Sequence, residues 1–309
     1  AKELLIMSML TGKTVLVTGG GRGVGRAIAL AAAEAGANVA VNDLGVSLQG
    51  DSTGDSPAHE VVKEIEAMGG KAIALTDSVG NWDAAHSMIE TTVKTFGSID
   101  AVINNAGNLR DVIFHKMTED DFDAVINVHL KGTFNMSRAA APYFKEQAGG
   151  AFLHMTSTSG LIGNFGQANY CAAKLGIVGM SKAIALDMQR FGVRSNAVAP
   201  FAWTRMVSSI PNETPEQKKR VEGLMKLVPE RLAPFAVAMV SDQAKHVTGQ
   251  VFGVRNNEIY LFSQSRPIRT AHSGEGWTPE TVIDRVLPMF ENDFYPLHKS
   301  GDVFTWDPV

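Results

Sequence analysis

One cysteine, Cys171, in 309 residues leaves no partner for an internal disulfide and fits a reducing compartment. No stretch reaches the roughly 18 uncharged apolar residues that a membrane-spanning helix needs, so no membrane is expected as a partner. The formal net charge is −4 and no lysine/arginine run tracks phosphates, so nucleic acid is not expected either. The 8 histidines are scattered without an H-E-x-x-H pattern, and a single thiolate builds no zinc site, so no metal is expected. GQANYC around the lone cysteine is no nucleophile elbow. The carboxyl end, FTWDPV, carries no peroxisomal or endoplasmic-reticulum signal, and the cytosol is the expected location.

What the chain does have is apolar content, 45% against 19% charged, enough for a substantial core. Short β-branched runs alternate with alanine-rich helical segments, the rhythm of βαβ units around a parallel sheet. Strands are expected at 14–17, 38–42, 71–75, 101–104, 151–155, 194–198 and 250–254. Helices are expected at Val24–Ala35, Ala58–Met68, Trp82–Phe96 and, longest, Ala168–Phe191, with Gly192 as its stop. The fold class is therefore α/β, a Rossmann-type doubly wound sheet of about seven strands over residues 11–254. Residues 1–10 read as a short extension outside that fold. Two segments break the rhythm: the polar loop Gly45–Ser56, and the tail at 255–309, rich in tryptophan, phenylalanine and proline. The tail shows no clear strand–helix alternation and is expected to pack on the body or on a neighbouring subunit.

The first strand runs into TGGGRGVGRA, which fits T-G-x-x-x-G-x-G with Gly19, Gly23 and Gly25. Missing β-carbons let a pyrophosphate approach the backbone, and the start of the next helix faces the anion, so Arg22 and Val24 belong to the same turn. Asp43 ends the second strand 18 residues beyond Gly25, where a carboxylate accepts hydrogen bonds from ribose hydroxyls and repels a 2′-phosphate. That favours NAD over NADP, with the Arg22 guanidinium as the feature that points the other way.

Tyr170 and Lys174 stand four apart on a helix and so share a face. Ser157, 13 residues before the tyrosine, closes the fifth strand at the edge where doubly wound sheets bind ligands. A free tyrosine titrates near ~10, and a neighbouring ammonium is expected to lower that value. A serine hydroxyl supports charge developing on a substrate oxygen. Together these groups suit a secondary alcohol that gives its hydroxyl proton to Tyr170 and its carbon-bound hydride to a nicotinamide.

TGGGRGVG, NNAG (Asn104–Gly107), Ser157 and Tyr170-x-x-x-Lys174, in that order, resemble the short-chain dehydrogenase/reductase family. The resemblance implies Tyr170 as acid/base, Lys174 as its partner and a ligand of the nicotinamide ribose, and Ser157 as the substrate-positioning hydroxyl. It also implies cofactor contacts at Asn105, Ala106 and Gly107, at Asp77, Ser78 and Val79 near the adenine, and at Pro200 and Thr204 near the nicotinamide. His129 in NVHLKGTF stands where many members carry a relay asparagine, and is expected either in that relay or as a buried structural histidine. Pro200-Phe201 replaces the usual P-G. Family members are dimers or tetramers, with helices corresponding to Lys116–Phe144 and Ala168–Phe191 at the interface.

VNDLG with its polar insertion, NNAGNLRD, VHLKGTF and GNFGQANYCAAKLG are similar to a narrower group. These are the (3R)-hydroxyacyl-CoA dehydrogenase units of type-2 multifunctional β-oxidation enzymes and bacterial single-domain relatives, which the tail also resembles. This implies a small-molecule substrate, a 3-hydroxyacyl thioester or a bulky alcohol such as a hydroxysteroid. Arg110, Lys131, Arg205, Lys218, Lys219 and Arg220 are candidate phosphate ligands or plain surface charges. Met206, Val207, Met225 and Leu227, in the lid-like stretch 201–227, suit an apolar pocket or the core equally.

Overall fold

Every residue of Thr14–Thr18 is buried, as a strand covered on both faces requires. Val15 and Val17 point into one layer and Leu16 into the other, the period of two that a pleated strand imposes. The computed structural model describes residues 9–45, 56–202 and 214–306. Its strands are β1 (Thr14–Thr18), β2 (Asn38–Asn42), β3 (Lys71–Leu75), β4 (Ala101–Asn104), β5 (Gly150–Met155), β6 (Val193–Phe201), β7 (Val251–Arg255) and β8 (Glu258–Leu261). They form one sheet of order β3-β2-β1-β4-β5-β6-β7-β8, parallel up to β7, with β8 antiparallel to it. The order reverses between β1 and β4, so a crevice opens at their carboxyl ends.

Helices α1 (Gly23–Glu34) and α2 (Pro57–Ala67) pack one face, joined by Ala233–Val240. Helices α3 (Trp82–Phe96) and α4 (Gly132–Glu146) pack the other, where Met88, Ile89, Met136 and Phe144 meet Leu16, Val102 and Phe152. Asn81 caps α3 through Ala84 N–H, and Gly97 closes it in the left-handed region at φ 86°. Helix α5 (Ala168–Met188) ends in a 3₁₀ turn that Gly192 stops at φ 71°.

The structure departs from the sequence reading in three places. An eighth strand is present: Asn256, at φ 54°, turns the chain so that β8 pairs back on β7. The expected boundary at 254 therefore falls inside a hairpin. Leu10 is fully buried and its N–H bonds Ala35 O, so the last residues of the supposed extension belong to the core. The stretch expected as one long helix, Lys116–Phe144, divides into a turn at Phe114–Lys116, a helix at Glu119–Ile126, a π turn at Asn127–Lys131 and then α4. The polar insertion 46–55, Thr204, Arg205, Met206 and Val207 lie outside the described residues, as do the side chains of Lys219 and Arg220.

Candidate active site

The glycine turn is shaped by contacts that no side chain survives. A β-carbon on Gly25 would lie 2.0 Å from Gly19 O, and one on Gly19 would lie 2.9 Å from Ala106 Cα. Gly19 and Gly23 take φ of 59° and 51°. Helix α1 starts at Arg22 with no side-chain cap and no acid in its first turn, so its leading N–H groups face the crevice. That is the environment a dinucleotide pyrophosphate requires, and these residues fit a nicotinamide cofactor. Asp43 stands beside the turn: Oδ2 accepts Gly21 N–H at 3.0 Å and Oδ1 accepts Gly45 N–H at 2.9 Å. Each oxygen keeps a lone pair for a ribose hydroxyl.

Asn105 ties this turn to β4, donating from Nδ2 to Thr18 O at 3.1 Å and Gly19 O at 3.0 Å. Thr18 Oγ1 accepts the N–H groups of Asn105 and Ala106. Farther along the edge, Asn42 holds Asp77 O at 2.9 Å, Gly80 N–H bonds Ser78 Oγ, and Asn135 holds Val79 O. The crevice walls are thus fixed by side-chain amides rather than by packing alone.

Ser157 caps the short helix Thr158–Leu161 in an extended conformation, its Oγ accepting Ser159 N–H at 3.1 Å. The Ser157 hydroxyl also lies near enough to Tyr170 to lower the pKa of its phenol. Lys174 is buried, its ammonium donating to Met155 O at 2.7 Å and lying 5.5 Å from the centre of the Tyr170 ring. Thr156 Oγ1 donates to Lys174 O, binding the end of β5 to α5. Gly160 permits this approach, since a β-carbon there would meet Lys174 Cβ at 2.8 Å.

The titration of the pair corrects the expectation from spacing. Burial pushes the Tyr170 phenol up to about 12, against a smaller lowering by the Ser157 hydrogen bond, and the Asp111 carboxylate raises it further. Burial also lowers Lys174 to about 7. Desolvation is the largest cause at both groups, and the hydrogen bond that Lys174 Nζ makes goes to the main-chain carbonyl of Met155.

His129 sits on the π turn, its ring edge-on to Tyr170 with centroids 5.2 Å apart. Its Nε2 meets Asn108 N at 3.1 Å and Asn108 O at 2.8 Å, while Nδ1 is buried without a hydrogen-bond partner. Gly107 leaves room for it, a β-carbon there lying 2.4 Å from Cε1. Burial, with the nearby Lys174 charge, holds His129 near 3, so the ring is neutral.

Several residues of the site carried no motif. Asn169 donates to Arg110 O and Asp121 O, both at 2.9 Å, and accepts Tyr170 N–H, locking the tyrosine's helix to the loop after β4. Gln167 donates to Asp111, whose carboxyl pKa is raised by desolvation. Beneath the site, buried His154 accepts from Asn104 at Nδ1 and meets Ser195 Oγ at Nε2, and burial lowers it to about 3. Arg110 and Lys131 share an open groove with Asp120, Asp121 and Asp123, carboxylates that oppose phosphate binding there. Lys218 is exposed, Met225 is exposed and Leu227 is buried.

Both histidines set an acid limit on the fold. Each titrates near 3 when folded and near ~6.5 unfolded, so between those values the unfolded chain binds more protons. Stability therefore falls as pH drops from about 6.5 toward 3, by up to ~1.4 kcal/mol per unit for each histidine. Denaturant unfolding of His154→Gln at several pH values is expected to show a shallower loss than the parent. An equal slope in both would contradict the assignment.

The comparisons with known proteins agree with this geometry. The short chain dehydrogenase family profile matches residues 13–214. The chain belongs to that family, whose members are oxidoreductases acting on CH–OH groups. Peroxisomal multifunctional enzyme type 2 of Mus musculus is 43% identical over 275 residues, 88% of this chain and 36% of that protein. A 3-oxoacyl-(acyl-carrier-protein) reductase of Staphylococcus aureus is 39% identical over 251 residues, 81% of this chain and 98% of the relative. A crystal structure of a short chain dehydrogenase from Mycobacterium avium superposes with a TM-score of 0.80 at 38% identity, covering 93% of this chain and 97% of that one. The chain spans 31% to 63% of the length of the peroxisomal relatives it matches. Among the described residues no helix is long and apolar enough to cross a membrane.

Proposed function

We propose that this dehydrogenase oxidises a 3-hydroxyacyl thioester, a 3-hydroxyacyl-CoA, to the 3-oxo compound with NAD, reversibly. The observation that carries the reading is the convergence of Ser157, Tyr170 and Lys174 at the carboxyl end of β5, beside the uncapped start of α1. The relatives support the substrate class, since one of them is by name a 3-oxoacyl-(acyl-carrier-protein) reductase.

Ser157 holds the substrate oxygen and Tyr170 takes its proton, or returns it in the reverse direction. NAD, when bound, supplies the hydride acceptor and a positively charged ring. A phenol pushed up to about 12 is already the acid that ketone reduction uses, whereas oxidation draws on its deprotonated form. Lys174 is assigned to the ribose hydroxyls and to the phenolate. His129 is assigned as a positioning residue for Tyr170 and the Asn105–Gly107 loop, because its Nε2 is taken up by the main chain of Asn108 and its ring packs edge-on to Tyr170. The enzyme acts in the cytosol as a homodimer or homotetramer, association covering the exposed Leu175, Leu186, Phe122 and Phe134.

NADH formation over 3-hydroxyacyl-CoAs, hydroxysteroids and simple secondary alcohols tests the substrate. Turnover of the thioesters is expected, and turnover confined to steroids would replace the reading with a hydroxysteroid dehydrogenase. For the cofactor, Asp43→Ser is expected to lower the kcat/KM ratio of NAD over NADP by at least about tenfold, roughly one charge–phosphate repulsion of ~1.4 kcal/mol. A parent that uses both cofactors equally at low concentration would exclude the preference.

A further inference from the structure

The tail crosses the substrate side of the sheet at three points. Ser300 Oγ donates to Thr158 Oγ1 at 2.5 Å, and Ser300 N–H bonds Gly163 O at 2.9 Å. Four residues on, Phe304 packs its ring on Phe201 at the end of β6, with centroids 4.9 Å apart, and on Tyr260 of β8 at 5.3 Å. Trp306 then donates from Nε1 to Glu258 Oε1 at 2.7 Å, and Arg255 Nη2 donates to Trp306 O at 2.7 Å. These anchors follow β5, β6 and the β7–β8 hairpin in spatial order, along the edge that carries the catalytic groups.

The first anchor bears on the chemistry. Thr158 is buried and directly follows Ser157, whose side chain caps the turn that Thr158 begins. Within that turn the Ser157 hydroxyl is held by Ser159 N–H. A hydroxyl pinned from outside on the adjoining residue restrains the turn from rotating away from substrate. The family profile ends at residue 214, so this restraint lies outside the part of the chain that the profile matches.

We propose that the segment 298–306 is a strap across the substrate cleft and that Ser300 is a positioning residue for Ser157, acting through Thr158. The inference rests on the dehydrogenase reading of Ser157 and Tyr170. It is tested by Ser300→Ala and Ser300→Thr in the full chain, using whichever secondary alcohol the parent oxidises. Ser300→Ala is expected to lower kcat by about five- to tenfold, the worth of one hydrogen bond, with KM for NAD and NADH affinity unchanged. Ser300→Thr, which keeps the hydroxyl, restores most of the rate. Amide hydrogen exchange at Ser159–Leu161 is expected to quicken in Ser300→Ala and not in Ser300→Thr, a readout that needs no substrate. A kcat and exchange rate in Ser300→Ala equal to the parent's overturn the strap and leave the proposed function standing. A threonine variant as impaired as the alanine one also overturns it, because packing and not the hydroxyl would then be responsible. A parent inactive on every alcohol defeats the dehydrogenase reading, while the exchange data still decide whether Ser300 restrains the turn.

Discussion

Tyr170→Phe is expected to lower the kcat of alcohol oxidation by about 10²–10⁴-fold while NADH affinity stays within about twofold of the parent. The phenol oxygen is the only part removed, and Tyr170 stands on α5, not in the glycine turn assigned to the cofactor. Because burial holds the phenol up to about 12, the parent's oxidation rate should rise with pH through the alkaline range, and its reduction rate should fall. Both dependences should vanish in the phenylalanine variant. Fluorescence titration with NADH beside steady-state rates separates the two effects. A variant that retains a tenth or more of the parent's kcat would show that another group moves the proton.

Gly25→Ala is expected to cost about 1–3 kcal/mol of stability and to weaken NADH binding by at least about tenfold. The added β-carbon would fall 2.0 Å from Gly19 O and 2.5 Å from Asn105 Nδ2. Neither atom belongs to a flexible side chain end that moves at no cost: one is main chain, and the other already bonds Thr18 O and Gly19 O. Relief therefore comes by displacing Gly19, the wall of the pyrophosphate cradle. Gly179→Ala serves as the control, since nothing lies within 4 Å of a β-carbon there and α5 continues through it. That variant should be neutral or slightly stabilising. Denaturant midpoints and NADH titrations of both check the pair, and equal behaviour would contradict the cradle.

Why some of this was legible in the sequence and some was not follows from the range of each interaction. The seven parallel strands are continuous apolar runs between glycine-ended helices, and their positions moved by no more than a few residues. The capping Asn81 and the stop at Gly97 bracket Trp82–Phe96, which the sequence places at the same bounds. The eighth strand had a local signal too, the Asn256-Asn257 turn before alternating Glu258-Ile259-Tyr260-Leu261. Because the rest of the tail has no strand–helix alternation, that short hairpin signal stands alone in it. The π turn at Asn127–Lys131 has no such signal, because a π insertion uses ordinary helix-forming residues and is set by what packs against it.

The site divides in the same way. Ser157, Tyr170 and Lys174 are fixed by helix spacing and by a strand end, and the structure brings all three together. Their titration was not legible, since it depends on burial and on the carbonyl of Met155, not on the four-residue spacing. Nor was Ser300, whose bond to Thr158 joins residues 142 positions apart. Asn169 is a middle case: it adjoins the tyrosine in sequence, yet its two acceptors lie on the loop after β4 and at Asp121.

In the proposed function, hydride transfer to NAD from the carbon that bears the hydroxyl is the central step, and isotope placement tests it most directly. A 3-hydroxyacyl-CoA carrying deuterium at C3 is incubated with the enzyme and NAD, and the NADH formed is weighed by mass spectrometry. One deuterium per NADH, with the label absent from solvent and the reaction lost in Tyr170→Phe, is the predicted result. NADH without label, or the same thioester left unoxidised while another alcohol is consumed, would contradict it.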